Sequence, residues 1–129
     1  MKILVAEDDP DIRELLRAYL GSWSYEGSYV DEGEAAWEQL SAPDGPRLAL
    51  LDCDMPGLSG PEICRRIRKQ FPQRPTHLIL LTGRILEDEV EAGLEAGADD
   101  YITKPFRPRV LHARIRGFRV GIVANNGVL

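Results

Sequence analysis

Side chains that can do chemistry stand at the ends of several short apolar runs of this chain. They offer carboxylates, hydroxyls and one ammonium, in the order Glu7, Asp8, Asp52, Thr82, Tyr101 and Lys104. The clearest apolar runs before them cover residues 3–6, 48–51 and 78–81. If these runs are strands of one parallel sheet, the side chains meet at its carboxyl edge, where open α/β sheets bind ligands.

Three carboxylates in one place predict a cation site. Glu7 and Asp8 repel each other, and Asp52 nearby makes an empty cluster costly. Carboxylate oxygens select a hard ion, so we expect Mg²⁺, with Mn²⁺ as the alternative. Taken singly, acids at strand ends are also typical of solvated loops, and only their joint placement favours a site.

Asp52 is the candidate nucleophile of this set. A carboxylate can attack phosphorus to form an aspartyl phosphate if the charge on the transferring oxygens is neutralised. Lys104 would pair with one phosphoryl oxygen, and the hydroxyl of Thr82 would donate to another. A lone threonine or lysine is a common surface residue, so this interpretation again depends on the whole constellation.

The elements that must position these residues alternate between strand and helix. Strands are predicted at 2–6, 26–30, 47–51, 77–81 and 99–103, and helices at Pro10–Gly21, 33–40, from Pro61, 87–96 and from Pro108. Gly27 and Ser28 make the second strand weak. Right-handed crossovers then give an α/β fold, a doubly wound (βα)5 domain whose parallel five-stranded sheet has the order 2-1-3-4-5.

Composition narrows the class of protein. The 129 residues fit one domain, predicted at 1–120, with 121–129 as a tail or linker stub because they show no helical pattern. A net charge of −5 argues against nucleic-acid binding by this domain. No apolar run approaches the roughly 20 residues of a membrane span, and we expect no signal peptide, because the first residues already form a predicted strand. Two cysteines without metal or redox spacing favour a cytoplasmic protein.

Four segments of the chain resemble the receiver domain of bacterial two-component response regulators. They read ILVAEDDP (3–10), LALLDCDMPGLSGPEICRRIR (48–68), LILLTG (78–83) and GLEAGADDYITKPF (93–106). The resemblance covers residues 2 to about 120 and implies a flavodoxin-like fold. It also implies a regulatory phosphoacceptor rather than an enzyme, with a sensor histidine kinase or a phosphotransfer protein as partner.

The resemblance assigns roles residue by residue. Asp52 would accept the phosphoryl group, and Mg²⁺ would be held by Glu7, Asp8, Asp52 and the backbone carbonyl of Asp54. Thr82 and Tyr101 would form a switch pair, and Lys104 would contact the phosphoryl group and precede a cis peptide bond to Pro105. Asp54 and Arg84, which are less fixed in the family, are hypothesised to form an ion pair that tunes hydrolysis.

Three other functions stay open at this stage. Asp52-Cys53-Asp54 is a D-x-D motif, as in haloacid dehalogenase-like phosphatases, although those enzymes place the motif on their first strand. A phosphorylation-silent interaction module is the second alternative. Flavin binding is the third, but no phosphate loop follows the first strand.

We expect phosphorylation to repack the face made by the fourth helix, fifth strand and fifth helix. A symmetric homodimer could use that face, with charges from Asp99, Asp100, Arg114 and Arg116.

Overall fold

The computed structural model describes residues 2–83 and 87–123 as five strands and five helices in strict alternation. The strands are β1 (Lys2–Ala6), β2 (Glu26–Val30), β3 (Leu48–Asp52), β4 (His77–Thr82) and β5 (Asp100–Thr103). The helices are α1 (Pro10–Ser22), α2 (Gly33–Ser41), α3 (Gly60–Gln70), α4 (Glu87–Glu95) and α5 (Pro108–Val123). Every strand pair is parallel and the order is β2-β1-β3-β4-β5, which confirms the predicted fold class and strand order.

The core has two layers because successive strand residues point to opposite faces of the sheet. Ile3, Val5, Leu48 and Leu50 pack with residues of α1 and α5 on one face. The intervening strand residues pack with α2 and α3 on the other face, among them Leu4, Ala6, Ala49 and Leu51. Since both faces are covered, β1 and β3 read as continuous apolar runs.

The weak second strand forms despite its glycine and serine. It pairs with β1 along its whole length, from Lys2 opposite Glu26 to Ala6 opposite Val30. As an edge strand it is only partly buried, so small or polar residues cost less there than in the centre of the sheet. The hydroxyl of Ser28 donates to Oε1 of Gln39 on α2 at 2.8 Å.

Two predicted helix ends are wrong. Gly21 does not stop α1, which continues to Ser22, and the left-handed backbone conformation falls on Ser24 instead. The absence of helix expected from residue 121 is wrong for Gly121–Val123, because α5 continues through them. The predicted division into a domain at 1–120 and a tail or linker stub stays a prediction. A helix that has already formed gains one backbone hydrogen bond per added residue, so it can outlast its apolar pattern. The predicted tail residues 124–129 lie outside the described residues.

Arg68 forms hydrogen bonds to three residues at the edge of the sheet where the strands begin, opposite the edge that carries the carboxylates. Its Nε donates to the carbonyl of Gly97 at 2.9 Å, and its Nη1 donates to that of Thr76 at 2.7 Å. Its Nη2 lies 2.7 Å from Oδ2 of Asp99, which also accepts the backbone N–H of Leu78 at 2.8 Å. Asp99, which was expected to supply charge for a dimer face, thus pairs with Arg68 of its own chain, and its role in a dimer stays a prediction.

Among the described residues, none of the helices combines the length and the apolar character needed to cross a lipid bilayer.

Gly60 lets α3 begin against the end of β3. A Cβ on this residue would stand 2.6 Å from the carbonyl oxygen of Asp52 and 2.9 Å from Cδ2 of Leu80. We therefore expect Gly60→Ala to lower the free energy of unfolding by about 1–3 kcal/mol, measured by urea denaturation. Gly21→Ala is the control: nothing lies within 4 Å of its added Cβ, and alanine suits a helix better. Equal stability of the two variants would contradict this account of the packing.

Candidate functional site

Three carboxylates converge where β1 and β3 end. One oxygen each from Glu7, Asp8 and Asp52 lies within 4.8 Å of the others. Glu7 is fully buried and Asp52 is 4% exposed, whereas Asp8 is open to solvent. The donor set consists of hard oxygens and can be reached from outside, so it fits a hard cation. The sequence-based prediction that these acids share one place is confirmed.

Lys104 brings a positive charge into the same place from the end of β5. Its Nζ lies 2.6 Å from Oε1 of Glu7 and 3.2 Å from Oδ1 of Asp52. Its backbone N–H donates to the carbonyl of Thr82 at 2.7 Å, and its peptide bond to Pro105 is cis. Burial disfavours the charged lysine, but the hydrogen bond to Glu7 and the charge of Asp52 outweigh burial and raise the pKa of Lys104.

The electrostatics of the cluster single out Asp52. Burial, together with hydrogen bonds to Glu7 and Asp8, raises the pKa of Asp52 to about 8. The hydrogen bond from Asp52 in turn lowers the pKa of Asp8. One ammonium therefore does not balance the charge of three acids, and in the metal-free protein the surroundings of Asp52 favour its protonated form. A cation bound to the carboxylates would take the place of that proton.

The residues after Asp52 shape the mouth of the site. The backbone N–H of Asp54 donates to Oδ1 of Asp52 at 3.2 Å, and the Asp54 side chain is exposed. Cys53 is partly buried against the core, and burial raises the pKa of its thiol to about 11. A thiol with such a pKa is a poor redox sensor. Arg84, the hypothesised partner of Asp54, lies outside the described residues.

Thr82 and Tyr101 lie on neighbouring strands. Thr82 ends β4 opposite Thr103, and Tyr101 lies opposite Leu80, so the period of two places Thr82 and Tyr101 on the same face of the sheet. Thr82 is 8% exposed and Tyr101 is 37% exposed. The tyrosine borders an open cavity of about 350 Å³, which is also lined by Arg107 and Arg114. A side chain in this position has room to turn.

Arg13 is a residue of the site that the sequence reasoning missed. Its Nη1 donates to the backbone carbonyl of Glu7 at 2.9 Å, and its side chain is only partly exposed. The signal available in the sequence was a cation on the first turns of a helix that directly follows an acidic pair. A helix N-terminus disfavours a cation, so such a residue needs another reason to be there.

The chain that carries these site residues was also compared with known protein families. The family model described as "Response regulator receiver domain" matches residues 3–116. The chain belongs to this family. The predicted receiver identity is therefore confirmed, and its acidic cluster of Glu7, Asp8 and Asp52 could bind a metal ion.

Relatives agree with this assignment. The phosphate regulon transcriptional regulatory protein PhoB of Escherichia coli is 39% identical over 115 residues, which cover 89% of this chain and 50% of PhoB. This receiver thus spans about half the length of the curated relatives it matches.

Solved structures are similar as well. The BeF3-activated N-terminal receiver domain of Klebsiella pneumoniae RstA is 37% identical, with a TM-score of 0.80 and coverage of 90% of this chain and 96% of that one. The receiver domain of sensor histidine kinase PA1611 from Pseudomonas aeruginosa was solved with a magnesium ion in its active-site cleft. It is 32% identical, with a TM-score of 0.80 and coverage of 89% and 93%.

Replacing Asp52 with asparagine should stabilise the metal-free receiver, increasingly so as the pH rises. The pKa of Asp52 is about 8 in the folded chain against an ordinary 3.8, so between these values the folded state holds a proton that the unfolded state has lost. Wild-type stability therefore falls as the pH rises through this window. We expect Asp52→Asn to add about 1–3 kcal/mol at pH 8 and little near pH 4, measured by urea denaturation in EDTA.

Asp54→Asn is the matched control, because it removes an exposed acid two residues away and should change stability by less than about 0.5 kcal/mol. An Asp52→Asn gain of the same size at both pH values would contradict the raised pKa.

Proposed function

We propose that this receiver is a phosphorylation-dependent signalling switch that accepts a phosphoryl group on Asp52. The observation that carries the proposal is the placement of this carboxylate: it is buried at the base of the acidic cluster, with Nζ of Lys104 at 3.2 Å. The donor would be the phosphohistidine of a sensor histidine kinase or of a phosphotransfer protein. An oxygen of Asp52 attacks phosphorus, and the bond from phosphorus to the histidine nitrogen breaks.

The cofactor in this proposal is Mg²⁺, with Mn²⁺ able to replace it. Glu7, Asp8, Asp52 and the backbone carbonyl of Asp54 would hold it. When bound, the ion neutralises charge on the carboxylates and on the transferring oxygens. Lys104 already reaches Asp52, and it would pair with a phosphoryl oxygen of the product. The hydroxyl of Thr82 would donate to another phosphoryl oxygen.

The donor would dock beside Lys104. An apolar groove of about 500 Å³ lies between α1 and the loop after β5, and Ile12, Leu15, Tyr19 and Phe106 line it together with Lys104. Leu15 is 42% exposed. An exposed leucine on a helix next to the nucleophile suits a helical partner that presents a histidine at its surface.

The switch step would run from Thr82 to Tyr101. Movement of Thr82 toward the phosphoryl oxygen would free space on its face of the sheet, and Tyr101 would turn inward to fill it. The face of α4, β5 and α5 would then change shape and charge, which biases a two-state equilibrium. Two copies could meet through this face, where Arg114 lies 3.3 Å from Asp100 of the same chain.

The output of the switch is a separate domain or partner. PhoB, which is about twice as long as the matched region, is named a transcriptional regulatory protein. We propose that this receiver likewise controls an output domain or a partner protein, and that it neither binds nucleic acid itself nor turns over a substrate as an enzyme. A cytoplasmic location fits its two free cysteines.

Intact mass spectrometry after incubation with acetyl phosphate and Mg²⁺ tests the proposed function. We expect one phosphoryl adduct that needs Mg²⁺ and is absent from Asp52→Asn. Rapid phosphate release without an adduct would favour the dehalogenase-like phosphatase, which turnover of a small phosphomonoester would then establish. Neither adduct nor release would favour the silent interaction module and overturn the proposal.

Asp54 and Arg84 are proposed to tune the lifetime of the phosphoryl group. An ion pair at the mouth of the site would hinder the attacking water, although an exposed pair contributes only about 0–1 kcal/mol to stability. We expect Asp54→Ala and Arg84→Ala each to change the hydrolysis rate of the Asp52 adduct, followed by mass spectrometry after acetyl phosphate is removed. Glu14→Ala removes an exposed acid on α1 as the control. Unaltered lifetimes in both variants would contradict the pair.

A further inference from the structure

The backbone of Glu7 is held at its N–H and at its carbonyl. The backbone N–H of Glu7 donates to the carbonyl of Val30 at 3.0 Å, which extends the pairing of β1 and β2 by one residue. The carbonyl of Glu7 accepts from Nη1 of Arg13 at 2.9 Å.

The peptide group between Glu7 and Asp8 connects two of the three acids. The carbonyl of Glu7 and the N–H of Asp8 belong to one planar unit, so a bond that fixes the carbonyl also fixes the direction in which Asp8 leaves the strand. The Glu7 carboxylate has its own restraints, since Oε1 lies 2.6 Å from Nζ of Lys104 and Oε2 accepts the N–H of Asp9 at 3.2 Å. The exposed Asp8 depends more on its backbone.

The next arginine on the same helix gives a contrast. Arg17 lies one turn further along α1, its side chain is 53% exposed, and it pairs with Glu14 at 3.3 Å. Its guanidinium also lies over the ring of Tyr29 at 4.1 Å. Arg17 therefore belongs to the surface and to the edge of the sheet, whereas Arg13 reaches back to the acidic pair. The two residues have the same charge and different contacts.

We propose that Arg13 is a positioning residue that fixes the Glu7–Asp8 peptide so that both carboxylates face one cation, and that it thereby sets the Mg²⁺ affinity of the receiver. This inference rests on the proposed function, because it assumes that the acidic cluster holds Mg²⁺. Groups that orient metal ligands typically contribute about 10-fold or more to metal affinity. Arg13 acts through the peptide, by its bond to the carbonyl of Glu7.

Calorimetric titration with Mg²⁺ tests this inference in the phosphate-free protein. We expect Arg13→Met to weaken Mg²⁺ binding by about 10-fold. Arg13→Lys, which keeps the charge and one donor, should recover part of the loss. Arg17→Met, which removes the same charge from the same helix, should bind Mg²⁺ within about 2-fold of wild type. Circular dichroism checks that each variant is folded.

Phosphorylation by acetyl phosphate supplies a second readout. For Arg13→Met the Mg²⁺ concentration that gives half-maximal rate should rise by the same factor, while the rate at saturating Mg²⁺ returns to within about 2-fold of wild type. A purely structural role would not separate these two quantities.

These outcomes separate a failure of the inference about Arg13 from a failure of the proposed function. Unchanged Mg²⁺ affinity in Arg13→Met, or an equal loss in Arg17→Met, would overturn the role of Arg13 and leave the proposed function standing. A wild-type protein that binds no Mg²⁺ would overturn both the cofactor and the role of Arg13.

Discussion

Burial of negative charge at the carboxyl edge of the sheet is the constraint on which this structure depends. Glu7 and Asp52 are almost wholly removed from solvent, and a buried carboxylate is costly unless it is paired. Lys104 supplies one countercharge for both acids. A third acid, Asp8, lies beside them, so one positive charge faces three carboxyl groups. Burial and the neighbouring acids together raise the pKa of Asp52. The site is thus ready to exchange a proton for a cation.

The buried acids lie at the carboxyl edge of the sheet, whereas the opposite edge is held by hydrogen bonds from Arg68. The central strands β1 and β3 are covered on both faces, so the acids at their ends cannot move apart without disturbing the core. At the opposite edge Arg68 joins α3 to the turn before β4 and to the turn after α4.

Much of this arrangement was accessible from the sequence, and the failures have identifiable causes. The strand order, the convergence of Glu7, Asp8 and Asp52, and the place of Lys104 were all predicted. The second strand was judged weak, yet as an edge strand it needs less apolar surface. Helix ends were less well predicted, as at Gly21 and at the end of α5, because backbone hydrogen bonds continue where side-chain patterns fade.

The sequence by itself determined the alternation of elements, the two apolar faces of each central strand, and the identity of the charges at the strand ends. These features depend on spacing along the chain, which is a local property. Only the tertiary structure decided that Arg13 bonds the backbone of the acidic pair, that Asp99 faces Arg68, and that burial raises the pKa of Asp52. Such contacts depend on the final position of each side chain, and desolvation depends on everything that surrounds a group, so neither can be derived from spacing.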